Sequence, residues 1–196
     1  MSAPSPQLAP PGAGLPWFES LTVRWLGRRM LRSRLNWESA QAAIARVSSR
    51  LAREAMAMDD ATLARRVLIK RLRGLEDSSR CWSPEMVLEH LVITGEMFTE
   101  FVVALSNGRP VADQRGIADI KPHGELGRAV VGRFVEVHEA IPTRLAQEAG
   151  PLRDGPTHLH PWFGKLTAAD WLSLTAVHLG LHEKQLRAIR AASYTT

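Results

Sequence analysis

The chain has 196 residues, which is enough for one medium-sized domain with a core of its own. Its composition, 45% hydrophobic and 23% charged, is that of an ordinary globular protein and disfavours a wholly disordered, collagen-like or repeat-array protein. The formal net charge of +5 permits a nucleic-acid partner without indicating one, and the single cysteine excludes an intrachain disulfide and a cysteine-rich zinc finger.

Residues 1–16 are rich in proline and glycine and are predicted to form a disordered tail, because they offer too little apolar surface to offset the entropy of ordering. They have neither the basic start nor the apolar stretch of a secretory signal. No later segment has the run of about 18 apolar residues that a membrane span needs. With its lone cysteine, the chain is therefore predicted to be cytoplasmic and to have no membrane span.

Residues 17–35 are predicted to form an amphipathic helix, since apolar side chains recur at helical spacing among several arginines. Basic amphipathic helices bind membrane surfaces or nucleic acids, so such an arm is one interpretation of this segment. The other is a helix packed on the domain or on a dimer partner. We favour the second interpretation, and we expect no DNA binding.

Four longer helices are predicted in residues 37–196. A short helix and a long connection follow the first of them, over residues 59–82. The second begins at Ser83, whose side chain can cap the helix and which a proline follows. Pro142 is expected to kink or interrupt the third, and Thr167 opens the fourth with a pattern similar to a capping box. The four helices are predicted at residues 38–58, 83–106, 125–149 and 167–192.

The predicted fold is all-α. No segment of useful length alternates apolar and polar residues as a half-buried strand would. Four long helices in one domain favour a four-helix bundle, formed by residues 37–196, with an additional N-terminal amphipathic helix and long connections.

Two histidines of the last predicted helix, His178 and His182, lie four residues apart and therefore on one face, one turn from each other. Apolar residues such as Trp171 and Leu181 flank that face, whereas the charged residues of the helix point elsewhere. Both imidazoles are therefore expected to face the interior of the bundle.

A third histidine, His90, occupies the apolar face of the second long helix, while Glu85 and Glu89 fall on the other side. Burying a polar group without a partner costs about 1–3 kcal/mol, and three such groups would burden a marginally stable domain. A divalent transition metal ion would satisfy all three, because imidazole binds zinc, nickel, copper and iron. Three ligands would also leave a coordination position for water or substrate.

Three segments of the chain resemble the DinB-like metal-binding four-helix bundles, a superfamily that includes bacterial thiol-dependent S-transferases. They are WSPEMVLEHL (82–91), HPWFGKLTAADW (160–171) and HLGLHEKQ (178–185), in the order found in that family. The resemblance implies a three-histidine metal site at His90, His178 and His182, the residues that the helix faces indicate independently, and a homodimer. The arginine-rich N-terminal helix, the connection 59–82 and Pro142 depart from the family pattern.

Other residues are candidates for the surroundings of this site. Thr94 and Met97, on the same helix as His90, and Trp171 are expected to line a pocket. Two interpretations stay open for Gln185, which either holds a ligand imidazole or a bound water, or fills the end of the bundle.

Three further histidines are weighed as ligands and set aside. His138 lies at the edge of an apolar stripe and could serve as a fourth ligand or a proton shuttle, but a partly exposed residue without a special role is favoured. His158 and His160 form an H-x-H pair in a loop before the last helix, and we interpret this pair as structural.

The predicted function is that of a metal-dependent enzyme acting on a small-molecule substrate, as a hydrolase or a thiol-dependent S-transferase. Zinc or nickel is the expected ion, and a low-molecular-weight thiol would be the co-substrate of S-transfer. No residue identifies itself as a general base. The alternative is a non-catalytic helical interaction module with a structural ion or none, whose basic N-terminal helix docks a partner.

Overall fold

A computed structural model describes residues 7–27, 29, 31, 36–112, 115–151 and 155–193. We number the α-helices and strands in chain order. The helices are α1 (Trp17–Thr22), α2 (Trp37–Met56), α3 (Asp60–Ala64), α4 (Pro84–Ser106), α5 (Ala129–Glu148) and α6 (Ala168–Ser193). The strands are β1 (Val67–Leu68), β2 (Cys81–Trp82), β3 (His158–His160) and β4 (Gly164–Leu166).

The four long helices form the predicted bundle around one hydrophobic core. Helix α4 packs against α5 and α6, and α2 packs against the same two helices. The cyclic order is therefore α2, α6, α4, α5, and the α4–α6 interface holds the candidate site. None of the helices in the described ranges is long and apolar enough to cross a bilayer.

Side-chain caps start the helices where the sequence indicates. The Ser83 hydroxyl accepts from the backbone N–H of Met86 at 3.2 Å, immediately before Pro84 in the first turn of α4. Thr167 and Asp170 form the reciprocal pair of a capping box, with distances of 3.1 and 3.3 Å between backbone nitrogen and side-chain oxygen. These caps fix the register of the two helices that carry the histidines.

Helix α5 is continuous at Pro142. The helix begins at Ala129 and continues through Pro142 to Glu148, so the proline does not interrupt it, and the alternative expectation of a kink stays a prediction. An interior proline costs a helix about 3 kcal/mol. The buried side chains of Val137, Ile141 and Leu145 on either side of it offset that cost by packing in the core.

Two very short antiparallel sheets lie in the connections, where no strands are predicted from the sequence. β1 pairs with β2, and β3 pairs with β4. Strands of two or three residues are too short to show alternation, which explains why the sequence gives no signal for them. The first sheet brings Trp82 and the neighbouring Ser79 to the candidate site.

Several acidic side chains on the outer faces of α4 and α6 are buried rather than exposed. Glu89 accepts from the backbone N–H groups of His123 and Gly124 at 3.1 and 2.7 Å, and Glu85 accepts from that of Gly127 at 2.5 Å. Glu183 pairs with Arg50 of α2 at 2.6 Å. The sequence places these glutamates on the correct side of their helices, but a loop and a neighbouring helix cover them.

One side of the N-terminal helical segment packs against the rest of the domain. Helix α1 is followed by a π-helical turn at Val23–Gly27, and Leu15, Glu19 and Gly27 are buried. Glu19 pairs with Arg71, which ties the helix to the connection between α3 and α4. The remainder of the predicted helix, residues 28, 30 and 32–35, lies outside the described residues.

Residues 7–16, part of the predicted disordered tail, make hydrogen bonds to the domain. The backbone N–H of Ala9 donates to Asp77 at 2.8 Å, and that of Gly14 donates to Glu76 at 3.1 Å. Residues 1–6 lie outside the described residues.

Candidate metal centre

Three histidines meet between α4 and α6. His90 projects from α4, and His178 and His182 project from α6. The Nε2 atom of His178 lies 3.2 Å from the Nε2 atoms of both His90 and His182, and one ligand atom from each residue lies within 4.8 Å of the others. The convergence predicted from the helix faces is therefore present.

The site lies deep in the bundle on one side and is more open on the other. His90 and His182 are 5% and 2% exposed, whereas His178 is partly buried. Packing of α4 against α6 places the first two imidazoles in the core. Solvent therefore approaches the cluster most closely at His178.

Hydrogen bonds fix which nitrogen of His90 carries the proton. Its Nδ1 atom lies 2.8 Å from the carbonyl oxygen of Ile120. A carbonyl only accepts, so Nδ1 is the donor and Nε2 presents a lone pair to the cluster.

His182 is held in the same tautomer by Gln185. The amide nitrogen of Gln185 donates to the carbonyl of Ser79 at 2.7 Å, so its oxygen faces Nδ1 of His182, also at 2.7 Å. Nδ1 of His182 therefore carries the proton, and Nε2 presents a lone pair. Of the two interpretations of Gln185, its contacts match the one in which it orients a cluster imidazole.

The cluster contains more acceptors than donors. The lone pairs of His90 and His182 both face Nε2 of His178, and a single proton there can satisfy one of them. Burial lowers the pKa of His90 to about 4. Burial and the neighbouring imidazoles lower the pKa values of His178 and His182 well below their usual range. All three are therefore neutral near pH 7, which is the form that binds a metal ion.

The donor set fits a divalent transition metal ion. Three neutral imidazole nitrogens suit zinc, nickel, copper or iron, and two of them are oriented by hydrogen bonds to a carbonyl and an amide, as is usual for histidine ligands. A bound cation would also compensate the excess of lone pairs. Within the described part of the chain, no cysteine, aspartate or glutamate joins the group.

Aromatic rings enclose the cluster. The Trp82 ring is nearly parallel to that of His182, at 7° and 6.0 Å between centroids, and Phe98 meets His178 at 5.5 Å. Lys121 lies over the Trp82 ring, with its ammonium 5.4 Å from the ring centroid. The ammonium is paired with Glu76 at 2.7 Å, which reduces its repulsion of a cation in the cluster.

The remaining residues expected near the site are buried. Thr94 is 1% exposed, and its hydroxyl donates to the carbonyl of His90 at 2.8 Å, within its own helix. Met97 is 6% exposed. Trp171 is 2% exposed and packs 5.0 Å from Phe98, whose ring contacts His178. Their role in lining a pocket stays a prediction.

His138 is buried, contrary to the expectation of a partly exposed side chain. It is 3% exposed, and its Nδ1 donates to the carbonyl of Phe134 at 2.9 Å. Its Nε2 has no partner in the described part of the chain and faces Gly95 of α4. Helix α5 packs against both α2 and α4. The buried part of its surface is therefore wider than the apolar stripe that the sequence pattern predicts. His138 is not among the three clustered histidines.

His158 and His160 stand in β3, outside the cluster. Nδ1 of His160 accepts from the backbone N–H groups of Trp162 and Phe163, at 3.1 and 3.3 Å, which leaves the ring proton on Nε2. The two rings pack against Trp171, with centroids 5.9 and 5.6 Å from it. These contacts hold the β3–β4 turn and agree with the structural interpretation of the pair.

Except for Gln185, the partners that surround and orient the cluster were missed in the sequence. Ile120 and Ser79 act through backbone carbonyls in irregular segments, where residue type carries no signal for this role. Trp82 directly precedes the helix cap at Ser83, and its position in the WSPE segment was the available clue.

No protein-family model matches the chain, and no curated protein matches it in sequence. Among solved structures, the crystal structure of TT2238, a four-helix bundle protein, is similar, with a TM-score of 0.55 and 21% identity. The match covers 78% of this chain and 98% of that chain. At this identity the likeness shows the fold alone, and it agrees with the four-helix bundle seen here.

Proposed function

We propose that this protein binds a divalent transition metal ion, zinc or nickel, through His90, His178 and His182. The observation that carries the proposal is the convergence of three imidazole nitrogens in which hydrogen bonds to Ile120 and Gln185 fix two lone pairs toward the cluster. Without an ion, an apolar or fully hydrogen-bonded core at this place would be more stable than one with unsatisfied imidazole lone pairs.

We further propose that the metal-bound protein is an enzyme acting on a small molecule, as a hydrolase or a thiol-dependent S-transferase. An ion held by three imidazoles would supply Lewis-acid chemistry to a small molecule that binds beside them. The protein supplies the rest: Ile120 and Gln185 hold the imidazoles, and Trp82 and Phe98 keep the surroundings dry. The resemblance of the WSPEMVLEHL and HLGLHEKQ segments to DinB-like proteins supports this class.

Metal analysis of protein purified without a polyhistidine tag tests the first step. We expect close to one equivalent of zinc or nickel, or stoichiometric uptake of either after chelation. His178→Ala should abolish uptake, because it removes the nitrogen that lies nearest both others. His158→Ala is the matched control, since that imidazole lies outside the cluster, and should leave uptake unchanged. Absence of uptake by the unaltered chain, or equal loss in both variants, contradicts the proposal.

Cobalt substitution separates an open catalytic ion from a closed structural one. The partial exposure of His178 favours an ion that small molecules reach. Adding a low-molecular-weight thiol to the cobalt-loaded protein should then produce a thiolate-to-cobalt charge-transfer band in the near ultraviolet. An unchanged spectrum would favour the alternative, a helical interaction module with a structural ion.

A further inference from the structure

We propose that the N-terminal helical segment docks this protein on an anionic lipid surface. The surface in question, which we call the aromatic face, consists of Trp17, Phe18, Leu21, Trp25 and Leu26. These side chains are 75%, 52%, 49%, 80% and 51% exposed, and they are close together on one helical segment. Contiguous apolar patches of this kind are uncommon on soluble monomers and mark interaction sites.

The outward orientation of the aromatic face is set by contacts on the opposite side of the segment. Glu19 pairs with Arg71 and accepts from the backbone N–H of Gly74 at 3.1 Å. Gly27 lies against Phe163, where an added Cβ atom would be 2.7 Å from the ring. The segment is therefore attached to the domain by one side, and its largest apolar side chains are presented to the other.

Apart from Glu19, the charged residues of the segment that carries the aromatic face are arginines. Arg24 and Arg29 are exposed, and residues 20–37 contain no aspartate or glutamate but further arginines. The preceding acid, Glu19, is buried and neutralised by Arg71. Tryptophan, phenylalanine and leucine beside arginine are the composition of helices that lie in the headgroup region of an anionic bilayer.

Two other occupants fit these observations less well. A second copy related by a two-fold axis would bring the aromatic face and its arginines against themselves, in a chain that already carries a net charge of +5. Nucleic acid would engage the arginines and the aromatic rings, but Leu21 and Leu26 have no planar surface on which a base can stack. Acyl chains accept every side chain of the aromatic face.

Sedimentation of the full chain with lipid vesicles tests the proposal. We expect binding to phosphatidylcholine vesicles that contain phosphatidylglycerol, weakened by salt, and little binding to phosphatidylcholine alone. Binding should shift the tryptophan emission to the blue, because Trp17 and Trp25 leave water. Arg24→Glu should lower the partition coefficient by roughly tenfold or more.

Matched variants keep the test specific. Trp17→Ser combined with Trp25→Ser should abolish binding and the emission shift, whereas Leu159→Ser, at a position 64% exposed in β3, should change neither. Arg109→Glu is the corresponding charge control, at an exposed position distant from the segment in sequence. All five positions are at the surface, so a thermal unfolding curve should be nearly unchanged.

Other results would overturn the proposal. These are equal binding to neutral and anionic vesicles, no binding to either, or full binding by the double tryptophan variant. A dimer that dissociates in that variant, or retardation of DNA or RNA without vesicle binding, would assign the aromatic face to a different partner. Metal uptake at the histidine cluster is independent of all these outcomes.

Discussion

Replacing Gln185 by leucine tests whether the cluster is organised by the hydrogen bonds described above. Gln185 is fully buried and joins Nδ1 of His182 to the carbonyl of Ser79, with both distances 2.7 Å. Leucine has a similar volume, so Gln185→Leu leaves little cavity. It does leave the Nδ1–H of His182 and the Ser79 carbonyl without partners.

The expected cost follows from those two groups. Each buried polar group left without a partner costs about 1–3 kcal/mol, which gives roughly 2–6 kcal/mol for the pair. The added apolar surface of leucine returns about 1 kcal/mol, so a net loss of roughly 1–5 kcal/mol is expected. The middle of this range is a large share of the 5–15 kcal/mol that stabilises a typical domain, and at about 2–4 °C per kcal/mol the loss lowers Tm by roughly 2–20 °C.

The same substitution should weaken metal binding, because His182 loses the group that fixes its tautomer. Partners of this kind alter metal affinity by about 10–100-fold. Urea unfolding of chelator-treated protein measures the first effect, and zinc titration of the folded variant measures the second. Gln147→Leu, at an exposed position of α5, is the matched control and should change neither.

The reasoning is refuted if Gln185→Leu changes the free energy of unfolding by less than about 0.5 kcal/mol, the usual range for a surface substitution. Destabilisation with unchanged zinc affinity would show that Gln185 supports the fold without orienting His182.

Three further predictions concern the packing around the site. Gly95→Ala should lower the free energy of unfolding by roughly 1–3 kcal/mol, because the new Cβ would lie 3.1 Å from Nε2 of His138. His138→Leu should reduce the dependence of stability on acid. Burial lowers the pKa of His138 to about 4 in the folded protein, whereas the pKa is near 6.5 in the unfolded chain. As the pH falls, the unfolded chain therefore takes up the proton first, and the free energy of unfolding decreases between about pH 6.5 and pH 4. Removing this imidazole should abolish about 3 kcal/mol of that fall, measured by urea unfolding across the pH range. Glu89→Gln should cost roughly 1–3 kcal/mol and weaken zinc binding, because the carboxylate holds the loop that follows Ile120 through two backbone N–H groups.

Each of these has an outcome that contradicts it. Gly132→Ala, where a Cβ meets nothing within 4 Å, should stabilise by about 0.5–1 kcal/mol, and a similar gain for Gly95→Ala would mean that the contact with His138 gives way freely. An unaltered acid dependence in His138→Leu would mean that the pKa of His138 is the same in the folded and the unfolded chain. Unchanged zinc affinity in Glu89→Gln would mean that the loop held by Glu89 has no influence on metal binding at the histidine cluster.

The core of the site was predictable because it depends on helical periodicity. His178 and His182 could be placed once the apolar face of the last helix was assigned correctly, because residues four apart lie on one face. His90 could be placed in the same way on the second long helix, whose start is fixed by the cap at Ser83. Packing of these two apolar faces against each other then brought the imidazoles together.

The parts that were not predicted depend on irregular segments. Ile120 and Ser79 contribute carbonyl oxygens, which every residue has, and only the path of the loop decides which of them reaches an imidazole. The burial of Glu85 and Glu89 has the same origin, since the loop over residues 121–128 covers a helix face that periodicity assigns to solvent. The burial of His138 follows from α5 having two neighbouring helices, which a single stripe does not encode.

The histidine cluster is assembled from parts of the chain that are far apart, since His90 and His178 are separated by 88 positions. An unfolded chain retains only the pair at His178 and His182, which is a weak chelator by itself. Tight uptake of a cation would thus require the folded bundle, and the fraction of protein that holds the ion would follow the fraction that is folded. Cells or test tubes richer in that cation would hold more of this protein in its compact form, by mass action alone.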